Sequence, residues 1–152
     1  MTNAGLVLIA IAGAVHLGIF LIESVLWTPL RTWRLFGIRD PAVADASRRW
    51  ALNQGFYNLF LAIGAIGGVI AHGVMSYTFN CVQWTPDCAA KVARADLSGV
   101  PGLVVAGFSA ACMVGAAIVL LASSGRRALV PALVQGAPPL AGLVLILGAV
   151  AV

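Results

Sequence analysis

The chain has 152 residues, of which 61% are hydrophobic and 9% charged; mean hydropathy is +1.01 and formal net charge +4. Soluble domains carry about 25% charged residues. Each ionised group at mid-bilayer costs several kcal/mol, so this deficit excludes an ordinary soluble domain and points to an integral membrane protein.

Four apolar runs stand between the charges, at 6–26, 51–71, 100–122 and 129–151. Each is about 20 residues, long enough at about 1.5 Å per residue to cross a hydrocarbon layer of about 30 Å. The expected fold class is all-α: a four-helix transmembrane bundle in a single domain, 1–152, with a short interfacial amphipathic helix between helices one and two. The first run is not expected to be a secretory signal. It lacks a basic leading segment and a small-residue cleavage site, and it passes straight into aromatic and arginine residues.

Within the first run, His16 and Glu23 lie seven residues apart, close to two turns, and so project from one face. The connection that follows, "LWTPLRTWRLFGIRD", sets Leu26, Trp27, Leu30, Trp33 and Phe36 among arginines. Spacings of three and four put much of this aromatic set on one face, as in a helix lying among lipid headgroups. The same segment could close a site in the inner leaflet.

The second run opens with "NQGFYN", which places Asn53, Gln54, Tyr57 and Asn58 in its first turns. Gly64 and Gly68 follow four apart, and the third run carries Gly107, Ala111 and Gly115 in the same register. Such patterns let helix backbones approach closely in lipid. Between these runs lies "FNCVQWTPDC". Its Cys81 and Cys88 are close enough in sequence to form a disulfide in an oxidising compartment, or to remain two unrelated thiols. Cys112, inside the third run, is a small packing residue. The fourth run begins with Gln135 near its start. Pro138 and Pro139 remove two backbone donors there and are expected to bend or unwind the helix.

Orientation follows from the cations. Arg31, Arg34, Arg39, Arg48 and Arg49 lie between runs one and two, and Arg126 and Arg127 between three and four. Lysine and arginine in short loops favour the cytoplasmic side. The expected location is therefore the cell inner (plasma) membrane, multi-pass, with both termini and the cysteine-bearing loop outside.

With that orientation, Glu23, Asn53, Gln54, Tyr57, Asn58 and Gln135 all fall in the inner half of the membrane. His16 lies about 10 Å deeper than Glu23 by the helical rise. A membrane-embedded carboxyl can hold or pass a proton, and an imidazole can be its partner or relay. Amides both donate and accept, so they can orient a polar group without adding charge. The expected site thus has Glu23 and His16 in catalytic roles and Asn53, Gln54, Tyr57, Asn58 and Gln135 in binding roles. Plainer readings compete with this one. Glu23 can pair with Arg31 or Arg34 at the interface, His16 can be a core histidine bonded to a carbonyl, and the amides can join helices to one another.

The stretches "HLGIFLIESVLW" (16–27), "LFG" (35–37) and "NQGFYNLFLA" (53–62) resemble the family of small bacterial membrane proteins catalogued as domain of unknown function 1304. In that family a His, a Glu, an aromatic after the Glu and an "NQG-x-YN" segment recur, and "VQG-x-P" (134–138) is similar to its last helix. The resemblance implies four helices and the same polar set, and it brings no established activity.

Three function classes follow. The first is a cytoplasm-facing polar pocket that binds a lipophilic small molecule and transforms it by acid/base chemistry. The second is a proton-coupled small-molecule exporter, and the third a packing subunit of a membrane complex. Expected partners are membrane lipid, a lipophilic small molecule and a second copy of the chain, with no nucleic acid. No cofactor and no metal are expected. His16 and His72 lie at different depths, and there is no phosphate loop, zinc-ligand set or serine elbow.

Overall fold

The computed structural model describes residues 2–28, 30–78 and 86–150, except for the side chains of 77–98 and of 150. The described chain is helical throughout. It comprises α1 (Thr2–Phe20), a π-turn (Leu21–Val25), α2 (Leu30–Leu35), α3 (Pro41–Thr78), α4 (Pro86–Ser124), a 3₁₀ turn (Gly125–Ala128) and α5 (Leu129–Val150). Three helical stretches among the described residues are long and apolar enough to cross a membrane: 2–25, 41–76 and 99–149. The last includes the α4–α5 hairpin, folded back at Gly125, whose φ of +64° suits glycine.

The four long helices form a closed ring of neighbours. α1 lies between α3 and α5, α4 closes the opposite side, and the α1–α4 diagonal is sparse. The common core is Leu6, Ile9, Ala12, Ala65, Ala106, Ala110, Met113 and Ile146. Its many alanines allow tight backbone approach, the packing that holds helices together where lipid leaves little hydrophobic force between them.

Glycines mark the crossings. A Cβ on Gly68 would lie 2.7 Å from Gly102 O, and one on Gly102 would lie 2.7 Å from Gly68 O, so α3 and α4 meet backbone to backbone. Gly5 and Gly142 make the same reciprocal contact between α1 and α5, each 2.8 Å from the other's carbonyl oxygen. Gly64 and Gly68 thus serve close approach as expected, Gly64 against Ser109. The facing surface of α4, however, is Gly102, Ala106 and Ser109. Ala111 and Gly115 are exposed, because their register lies on the other side of the helix. α5 continues as one helix through Pro138 and Pro139, with Pro139 fully buried, so no local unwinding occurs there.

Helix boundaries differ from the hydropathy runs: α1 begins at Thr2 rather than 6, and α4 at Pro86 rather than 100. α3 begins at Pro41 rather than at 51, and at 38 residues it is about 57 Å long by the helical rise, far more than a hydrocarbon layer needs. Asp40 starts it: Oδ1 accepts from the Ala42 N–H at 2.9 Å, with Pro41 in the first helical position. Hydropathy missed this extension because Asp45, Arg48 and Arg49 make it polar. The interfacial helix is short, six residues from Leu30 to Leu35. It ends in a glycine stop: Gly37, at φ +73°, donates to Arg34 O at 3.1 Å, and Ile38 donates to Trp33 O at 2.9 Å.

The expected pairing of Cys81 with Cys88 lies outside the described residues, since Cys81 and the Cys88 side chain are not among them. Cys112 is half-buried and free.

Candidate functional site

The site is built where α1 stops being an α-helix. The Leu26 N–H donates to Leu21 O at 2.8 Å, which closes a wider turn than α geometry and carries Glu23 within it. Such π segments recur at functional positions because they re-aim side chains. Glu23 is buried at 8% exposure and turns toward α3, where Asn58 Nδ2 donates to its Oε2 at 2.9 Å. The same amide nitrogen donates to Gln54 O at 3.1 Å. Both amide hydrogens of Asn58 are therefore used, one to hold the carboxyl and one to fix the amide to its own helix.

Gly55 makes this contact possible. A Cβ there would lie 3.2 Å from Glu23 Cβ and would overlap the Ser24 hydroxyl. Ser24 Oγ in turn donates to Leu52 O at 3.3 Å. Glycine in the third place of "NQG" is thus the empty volume into which the π-turn fits. The Phe20 and Phe56 rings meet edge to face at 5.5 Å just beyond it.

A pocket of about 90 Å³ is lined by Glu23, Ser24, Val25, Trp27, Thr28, Arg48 and Leu52. Trp27 is the most buried residue of that lining. Its indole is 6% exposed, donates from Nε1 to Ala44 O at 3.0 Å and meets the Phe36 ring at 5.3 Å. The Trp33 indole donates to the Trp27 carbonyl, so α2 is tied to the same corner. Val25 and Leu52 are 59% and 46% exposed, and Arg48 is exposed as well, so the mouth has one apolar and one cationic side.

The expected convergence of polar residues is only partly realised. The structure brings Glu23 and Asn58 together. Asn53, Gln54 and Tyr57 instead expose their side chains on α3, Tyr57 at 56%, and none of them lines the pocket. For Asn53 the reason is helical phase: it is five residues from Asn58, so the two point well away from each other. Gln135 on α5 is half-buried and makes no hydrogen bond to the other site residues. His16 is fully buried but stands apart from Glu23. Its Nδ1 donates to Ala12 O at 3.0 Å, and its Nε2 has no partner among the described residues. No ion pair joins Glu23 to Arg31 or Arg34 among the described residues, so the plainer reading of Glu23 is not observed either.

Ser24, Thr28, Arg48 and Leu52 are not in the expected site, whereas Trp27 belongs to the segment expected either to lie among headgroups or to close a site. A small residue beside the glutamate and a glycine amid amides were the available signals. Arg48 was counted for topology alone. Among the described residues no three His, Cys, Asp or Glu side chains come together as a metal site would require.

These features define a class: a small all-helical bundle, with helices long and apolar enough to cross a membrane and a buried carboxyl–amide pair at a π-turn near one end. The family model described as protein of unknown function (DUF1304) matches residues 10–93, and the chain belongs to that family. The matched region contains Glu23, Arg48, Gly55 and Asn58, whereas α5 with its "VQG-x-P" segment lies beyond it. No curated protein and no solved structure matches the chain.

Proposed function

We propose that the protein is an integral membrane protein that crosses the bilayer four times with both termini outside, and that its Glu23 pocket opens at the cytoplasmic boundary to bind the polar end of a lipophilic small molecule. One observation carries this reading. Glu23, buried and with its carboxyl held by a neutral amide and by no cation among the described residues, belongs to the lining of a pocket that also includes the exposed apolar Val25 and Leu52 and the exposed Arg48. Pockets for whole drug-sized ligands measure about 300–1,000 Å³. A volume of about 90 Å³ takes only a polar end, and leaves the apolar remainder against Val25 and Leu52 in lipid.

The chemistry suited to this geometry is proton exchange at Glu23, with Asn58 as the residue that positions it. His16, deeper and bonded to Ala12, is no part of that step. A proton-coupled exporter fits less well, because Glu23 is turned inward to Asn58 of its own chain and away from the exposed faces available to a second copy. The test is mass spectrometry of amphiphiles that co-purify with the protein from membranes. Wild-type protein is expected to retain a defined amphiphile, and Leu52→Trp, which fills the mouth, to lose it. The same lipid profile in both proteins would overturn the reading.

A further inference from the structure

The pocket holds one group of each sign, and they do not neutralise each other. Glu23 is the buried one and Arg48 the exposed one, and neither makes an ion pair among the described residues. Glu23 spends one carboxyl oxygen on Asn58, and Arg48 is exposed. A buried carboxylate without a cation is costly, and a small cationic group entering the pocket would relieve it. A purely anionic ligand would meet Glu23 at the inner end, and a purely cationic one would meet Arg48 on the way in. Both are disfavoured by like charge at short range. The other polar contacts are limited: Ser24 Oγ and the Trp27 indole already donate to Leu52 O and Ala44 O, which leaves the exposed Thr28 hydroxyl.

We propose that the polar end is a zwitterion, a primary ammonium a few bonds from a phosphate. The ammonium sits on Glu23, and the phosphate is held by Arg48 with Thr28 beside it. The proposal deepens the reading given above and rests on it. The size of the pocket favours a primary ammonium, since three methyl groups on the nitrogen would both fill it and remove the donors that a carboxylate needs. Arginine suits the other end because its planar fork matches phosphate oxygens. Two sources share this chemistry: an aminoalkyl phosphodiester lipid headgroup and a free aminoalkyl phosphate. The apolar rim of Val25 and Leu52 is used only by the lipid.

The experiment measures the thermal unfolding midpoint of the full chain in neutral detergent. Short-chain phosphatidylethanolamine, phosphatidylcholine, phosphatidylglycerol or free phosphoethanolamine is titrated in. Wild type is expected to be stabilised by phosphatidylethanolamine at concentrations where the other two lipids have little effect. Glu23→Gln and Arg48→Gln should each weaken that binding by about tenfold or more, as expected when one side of a charged hydrogen bond is lost. Stabilisation by phosphoethanolamine alone would identify the free solute as the source, and a requirement for chains the lipid. Equal shifts with phosphatidylglycerol, unchanged in Glu23→Gln, would overturn the zwitterion and leave only attraction of anionic lipid to the arginines. If none of the four stabilises wild type, the zwitterion is overturned, while the pocket reading stands or falls separately by the lipid profile of wild type against Leu52→Trp. Arg48 is exposed, so its variant folds independently of the fate of Glu23→Gln.

Discussion

Asn58 is the residue on which the Glu23 end of the bundle turns. It spends two donors on two acceptors, and one of these is the carboxyl it keeps from being buried alone. Replacing it with leucine leaves Glu23 without its hydrogen bond, and a buried acceptor left unmade costs about 1–3 kcal/mol, more when charged. Asn58→Leu is therefore expected to lower the unfolding midpoint in detergent, whereas Glu23→Gln, which keeps shape and an acceptor oxygen, should lower it little. Glycine provides a second contrast at this scale. Gly55→Ala places a methyl on Ser24 and Glu23 and should cost about 1–3 kcal/mol by overpacking. Gly67→Ala, whose new Cβ meets nothing within 4 Å, should be neutral or mildly stabilising, since alanine is the better helix former. Equal midpoints for the two alanine variants would show that the π-turn does not seat on Gly55.

At the scale of elements, the connection from α1 to α3 is a built structure. Trp27 closes the corner by bonding Ala44 near the start of α3, Trp33 bonds back to Trp27, and Gly37 ends α2 with a left-handed stop. An aromatic segment among arginines reads as a surface anchor, and the exposed Leu30, Leu35 and Phe36 fit that use. Trp27 does the opposite: it is buried against protein. Trp27→Phe keeps an aromatic ring beside Phe36 but removes the indole donor that ties the corner to Ala44 O. Gly37→Ala forces a β-carbon into the left-handed region at about 1–2 kcal/mol. Both variants are expected to cut faster in limited proteolysis at residues 27–40 while α4 and α5 stay protected. Protection equal to wild type would show that the corner does not depend on these groups.

Across the whole molecule, stability rests on backbone contacts at Gly68 with Gly102 and at Gly5 with Gly142. Valine at Gly68 would drive its side chain into the Ala106 backbone, which cannot give way as a flexible side chain can. Gly68→Val is expected to separate α3 from α4 and to abolish a cooperative unfolding transition, a larger effect than either alanine variant. The proposed orientation is tested on intact cells. A membrane-impermeant thiol reagent should reach Cys81 and Cys88 only from outside and only after reduction, while a cysteine substituted at Arg126 should be reached only from the cytoplasmic side. The reverse pattern would invert the topology.

Hydropathy and charge in the sequence alone determined the class, the four helices and the family resemblance, because these depend on composition summed over long runs and on short local motifs. "NQGFYN" shows where that kind of reading stops. Its residues divide by helical phase: Gly55 and Asn58 face α1, while Asn53, Gln54 and Tyr57 face outward, beside the exposed Trp50. A periodicity argument assigns relative angles along one helix, but only contact with another helix says which angle points inward. The π-turn was illegible for the same reason, since its hydrogen bond from Leu26 to Leu21 follows from how Ser24 and Glu23 seat on Gly55, and that depends on a helix some thirty residues away. Arg48 and Trp27 joined the pocket only through the extension of α3 back to Pro41, where a polar surface conceals the helix from hydropathy. The position of each residue along its helix was thus written in the sequence, and rotation about each helix axis was decided by packing.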